Sequence, residues 1–162
     1  MIIGLSIENF TILHVIISLI AIASGLIVLA GMLRARRLPG WTALFLVTTI
    51  LTSVTGFMFP ISGLTPGIVF GLISIVILVI ALNALYVKHL AGAWRWIYVT
   101  TALIALYLNV FVLIVQSFQK VPALQKLAPT QSEPLFSVTQ GVVLVPFLIL
   151  GIMAARRFRP TP

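Results

Sequence analysis

Apolar residues come in five long blocks along this chain, and the polar residues are pushed into the connections between them. A bilayer core of about 30 Å takes roughly 20 residues of helix, and each block has about that length. The blocks predict helices near residues 10–33, 41–60, 67–87, 96–118 and 135–155. A breaker or a charge marks each boundary. Arg34 closes the first block. Leu38-Pro39-Gly40 precedes the second, and Pro60 closes it. Pro66-Gly67 opens the third, Trp94-Arg95-Trp96 the fourth and Pro134 the fifth, which stops at Arg156-Arg157. Backbone groups in lipid have no water to bond, so unbroken apolar runs of this length are helices and not barrel strands. The expectation is an all-α integral membrane protein, one domain over residues 1–162, built as a bundle of about five transmembrane helices.

Composition agrees: 61% of residues are hydrophobic and 7% charged, where a soluble domain has about 25% charged residues. The charges also carry an orientation. Arg34, Arg36 and Arg37 follow the first block, Lys88 and Arg95 lie between the third and fourth, and Arg156, Arg157 and Arg159 follow the fifth. Those alternate connections hold eight of the ten basic residues; Lys120 and Lys126 are on the other side with both acidic residues, Glu8 and Glu133. Cytoplasmic loops carry the excess of Lys and Arg, so the N-terminus is expected outside and the C-terminus in the cytoplasm. Trp41, Tyr86, Trp94, Trp96 and Tyr98 fall at the inner interface. Met1 to Glu8 lack the basic residues of a signal peptide, so the first helix is read as retained. The net charge of +8 is then a topology signal that also meets anionic lipid head groups. It is not a nucleic-acid surface, because no soluble face gathers it.

The longest connection, residues 120–134, places Val121, Leu124, Leu127 and Ala128 at helical spacing against Lys120, Gln125 and Lys126. That pattern predicts a turn or two of helix in the outer interface, and Pro129 to Pro134 is expected as an ordered turn or a lid. Gly67-x-x-x-Gly71 followed by Ser74 reads as a packing face, and Pro146 as a kink.

Ionisable groups at membrane depth are rare and usually functional. His14 is the clear case. It shares a helix face with Ser18, Ala21 and Gly25, so that face is expected to meet other helices. Thr48, Thr52 and Thr55 share a face of the second helix, and Asn109 and Gln116 one of the fourth; Thr139 and Gln140 open the fifth. By depth, His14, Thr52, Thr55, Gln116 and Gln140 converge in the outer half, with Glu133 and Glu8 just above. They form the expected pocket. His89 falls in an inner loop and is read as solvated.

Much chemistry is excluded. There is no cysteine, hence no thiolate site. His14 and His89 lie at opposite depths, which rules out bis-histidine haem and leaves a single-His haem open. Three-ligand zinc and di-iron sites lack ligands. No nucleophile elbow, P-loop or dinucleotide fingerprint occurs, so the chain reads as a binding protein more than as an enzyme. The expected function is to bind a lipophilic ligand (quinone, lipid or single-His haem) in an outer-leaflet pocket of a bacterial inner-membrane protein. It would act alone, as a homo-oligomer or as an accessory subunit of a larger membrane complex. The alternative is a small proton-coupled transporter or channel using His14 and Glu133. The binding reading is preferred because polar groups thin out towards the inner half, where a transport path would need them.

Overall fold

A computed structural model of the protein describes residues 1–60, 63 and 66–159. All the described long elements are helices: α1 (Ile7–Leu33), α2 (Pro39–Phe57), α3 (Pro66–Leu82) running into a π-helical turn (Asn83–Val87), α4 (Trp94–Lys120), the short α5 (Pro122–Leu127) and α6 (Pro134–Arg157). The five long ones are apolar and long enough to cross a membrane. In the connection between α2 and α3, residues 61, 62, 64 and 65 lie outside the described residues, as does the C-terminal segment 160–162.

Local chemistry sets the ends. The Ser6 side chain caps α1 by accepting the Asn9 N–H at 3.2 Å, which satisfies one of the unpaired donors of the first turn. At its other end, Ala35 takes a left-handed conformation (φ 55°). The Ala35 N–H then reaches Met32 O and the Arg36 N–H reaches Gly31 O, a Schellman closure. Pro39, Pro122 and Pro134 each sit in the first turn of a helix, where the missing N–H costs nothing. The second helix stops at Phe57, short of the expected Pro60. Pro60 disfavours helical geometry in the residue before it, and Phe59 instead turns its ring onto Phe10, with centroids 5.1 Å apart.

The fourth helix is the hub. It packs against α1, α3 and α6 and touches α2, while α1 lies on α2 and α6, and α2 on α3. Close approach needs small residues. A Cβ on Gly25 of α1 would stand 2.6 Å from Leu106 Cδ1 and 2.9 Å from the Phe45 ring, and one on Gly71 of α3 would stand 2.8 Å from Phe57. Ser74 is buried on the same α3 face, but Gly67 is exposed. Asn109 donates to Thr49 Oγ1 of α2 at 3.2 Å.

Burial is uneven along the bundle. Val28, Met32, Phe45, Leu46, Leu85, Tyr98, Leu106, Ala154 and Phe158 belong to one cluster at the end of the bundle that carries the Arg-rich connections. There the Arg95 guanidinium also donates to Ala155 O and Phe158 O, tying the end of α6 to the start of α4. Towards the other end the helices share fewer buried residues. The perimeter is apolar: Val76, Val79, Val142 and Leu148 are each more than half exposed. An apolar perimeter of this kind suits a lipid solvent and would be a liability in water.

Candidate functional site

His14 lies about two turns into α1, half-buried against α2. Its Nδ1 stands 2.7 Å from Thr55 Oγ1. The Thr55 hydroxyl has a single hydrogen, which it gives to Leu51 O at 2.7 Å. Assigning the Thr55 hydrogen to Leu51 O makes the ring the donor of the shared bond: Nδ1–H donates and Thr55 Oγ1 accepts. In the neutral ring this leaves Nε2 as a free acceptor, and Nε2 has no partner among the described residues. The ring is held from two further directions. Phe59 meets it edge to face at 5.4 Å, and Gly56 passes close enough that a Cβ there would stand 3.7 Å from His14 Cε1. A partner on Nδ1 fixes the tautomer and orients Nε2 for another group.

The six expected site residues do not all gather. His14 and Thr55 meet. Thr52 sits one turn along the same helix and spends its hydroxyl on Thr48 O at 2.9 Å. Gln116 is exposed on the side of α4. Gln140 is buried on α6 and donates to Phe111 O of α4 at 3.4 Å, with its Oε1 unpartnered. Phe111 is two residues beyond Asn109, a rotation of about 200° on an α-helix. Gln140 therefore lies across α4 from the face that meets α2.

Glu133 belongs to a self-contained turn. Its Oε1 accepts from the Thr130 N–H at 3.1 Å and from the Thr130 hydroxyl at 2.9 Å. The loop is anchored to α4 through Gln131 Nε2, which donates to Val115 O at 2.9 Å, and through buried Ala128. The expected lid is thus anchored on α4. Partial desolvation pushes the Glu133 carboxyl up, but hydrogen bonds from Thr130, its own backbone and Ser132 outweigh it and hold the group below its ordinary value.

Phe59 is the neighbour that sequence reasoning missed. Its only signal is the following Pro60, which ends the helix and frees the ring to fold back. No three His, Asp or Glu residues gather as a metal site among the described residues. Two cavities lie elsewhere. One is a groove of about 680 Å³ between α4 and α6, flanked by Trp96, Tyr107 and Phe147; the other is at the Arg-rich end. Set against protein-family models, curated proteins and solved structures, the chain matches none.

Proposed function

We propose that this chain is an integral protein of a bacterial inner membrane, N-terminus outside and C-terminus in the cytoplasm, that binds a lipophilic ligand through His14 in the outer leaflet. The observation that carries the reading is the oriented, unpartnered Nε2 of His14. An acceptor in apolar surroundings gains most from a ligand that brings a donor, because nothing else there satisfies it. Among the candidate ligands, the hydroxyl of a quinol or of a lipid head group supplies that donor, and the iron of a single-His haem would take the same lone pair. Thr55 and Phe59 hold the ring in place for either. The apolar perimeter of α6, where Val138, Val142, Leu148 and Ile152 are exposed, is the face available to a second copy or to a partner subunit. A transport path shared by His14 and Glu133 has less support, since Glu133 is engaged within its own turn.

The test is the absorption spectrum and the lipid extract of the full chain purified in mild detergent, beside His14→Leu. A bound quinol gives an ultraviolet redox difference, and haem gives a Soret band. The expected outcome is one of these signals, or a retained hydroxyl lipid, in the parent, and its loss in the variant while the helical bundle still folds. Equal ligand content in parent and variant would overturn the assignment.

A further inference from the structure

At the Arg-rich end, far from His14, the ends of α1, α3 and α6 and the starts of α2 and α4 enclose a cavity of about 220 Å³. Its floor is apolar, with Val28, Met32, Leu85 and Phe158, and its polar lining is Arg36, Arg37, Thr42, Tyr86, His89 and Tyr98. Backbone geometry brings those residues to one place. The Schellman closure at Ala35 turns the chain so that Arg36 and Arg37 stand at the rim. His89 and Leu90 are consecutive left-handed residues (φ 49° and 61°); Leu90 is buried, and its N–H bonds Ala84 O, which pins His89 beside the opening. The π-helical turn Asn83–Val87 widens α3 where Leu85 and Tyr86 enter the lining, and such turns recur at functional sites.

The side-chain charges at this cavity have one sign, while the carbonyl ends of α1, α3 and α6 also lie there. Arg36 and Arg37 line it. The N-terminus of α2 opens beside it with no side-chain cap on Leu38, leaving backbone N–H groups and the positive end of the helix dipole. No acidic side chain balances them, since Glu8 and Glu133 both lie at the other end of the bundle. Arginine pairs are suited to bidentate contact with phosphate oxygens, and a helix N-terminus favours the same group. The volume is below the roughly 300–1,000 Å³ of ordinary ligand pockets, enough for a head group whose chains run out along the apolar perimeter.

We infer that this cavity binds the phosphate of an anionic phospholipid, with Arg36 and Arg37 holding the phosphate oxygens and His89 and the α2 N-terminus closing over the head group. The inference is independent of any ligand at His14. The phosphate chemistry could equally come from a free anion, so the test has two arms. In the first, the full chain is mixed in detergent with phosphatidylglycerol or phosphatidylcholine, and retained lipid is counted by native mass spectrometry. Phosphatidylglycerol should be retained preferentially. Arg36→Gln with Arg37→Gln should weaken that retention by about tenfold or more, the scale of losing hydrogen bonds to a charged group. Arg34→Gln with Arg157→Gln removes the same charge outside the cavity and should change it little. Equal loss in both double variants means general surface attraction and overturns the site. If the first double variant does not assemble, His89→Gln replaces it; partial loss supports the site, and full retention overturns it. In the second arm, inorganic phosphate is added without lipid. Thermal protection by phosphate alone that depends on Arg36 and Arg37 would overturn the lipid as the source, and its absence supports it.

Discussion

The hydrogen between His14 and Thr55 is the smallest unit with a consequence. Side-chain hydrogen bonds between membrane helices contribute on average about 0.6 kcal/mol and at most about 1.7, so Thr55→Val should lower stability in mild detergent by that order. Adding His14→Leu should cost less than the sum of the two single changes, because each already breaks the shared bond. Strict additivity would mean that the two side chains act separately. Glu133 supports a second prediction. Its folded-state carboxyl lies below the ordinary value, so its contribution to the 130–133 turn is present above the unfolded-state pKa and is lost as pH falls through the folded one. The Thr130 amide resonance, whose N–H is bonded to Glu133 Oε1, should stay constant from neutral pH to about pH 5 and move only below the ordinary carboxylate range. Glu133→Gln should abolish that titration, and a midpoint at or above the ordinary value would contradict the turn described.

Between helices, contact is limited by how closely backbones approach. Gly25 sits where α1 meets both α2 and α4. Gly25→Ala would press a methyl into Leu106 and the rigid Phe45 ring, and overpacking of that kind costs about 1–3 kcal/mol. Gly141→Ala, on α6 with open space around its Cβ position, is the matched control. It should be neutral or gain up to about 1 kcal/mol from helix propensity. Equal behaviour of the two variants in a detergent unfolding series would show that α1 does not seat as described. The helices themselves were legible in the sequence, because Pro, Gly and Arg punctuate apolar runs too long for anything else. The short α5 was legible from its spacing. The early stop of α2 was not, since it depends on Phe59 finding Phe10 and His14 across the bundle.

At the scale of the whole molecule, the limit on sequence reading is physical. A helix that is apolar all round does not announce which face meets protein and which meets lipid, so depth can be read while neighbours cannot. Depth put His14, Thr55, Gln116 and Gln140 on comparable levels. The order of packing around α4 then separates them, leaving Gln140 across the hub and Gln116 on its exposed side. The same limit hid the Arg-rich cavity: Arg36, Arg37 and His89 read as loop residues until two connections and the end of α6 are seen to share one end. That shared end constrains orientation. Arg37 and His89 line one cavity with Phe158, so reporters placed after Arg37 and after Gly92 must agree with each other whichever way the bundle is inserted. The bias of eight basic residues against two predicts that the richer side faces the cytoplasm. Both reporters should therefore read cytoplasm, and one after Gln125, between α4 and α6, should read the outer side. Disagreement between the first two would break the bundle itself. A cytoplasmic signal at Gln125 with the first two outside would keep the bundle and reverse it, moving His14 to the inner leaflet and the Arg-rich cavity to the outer one.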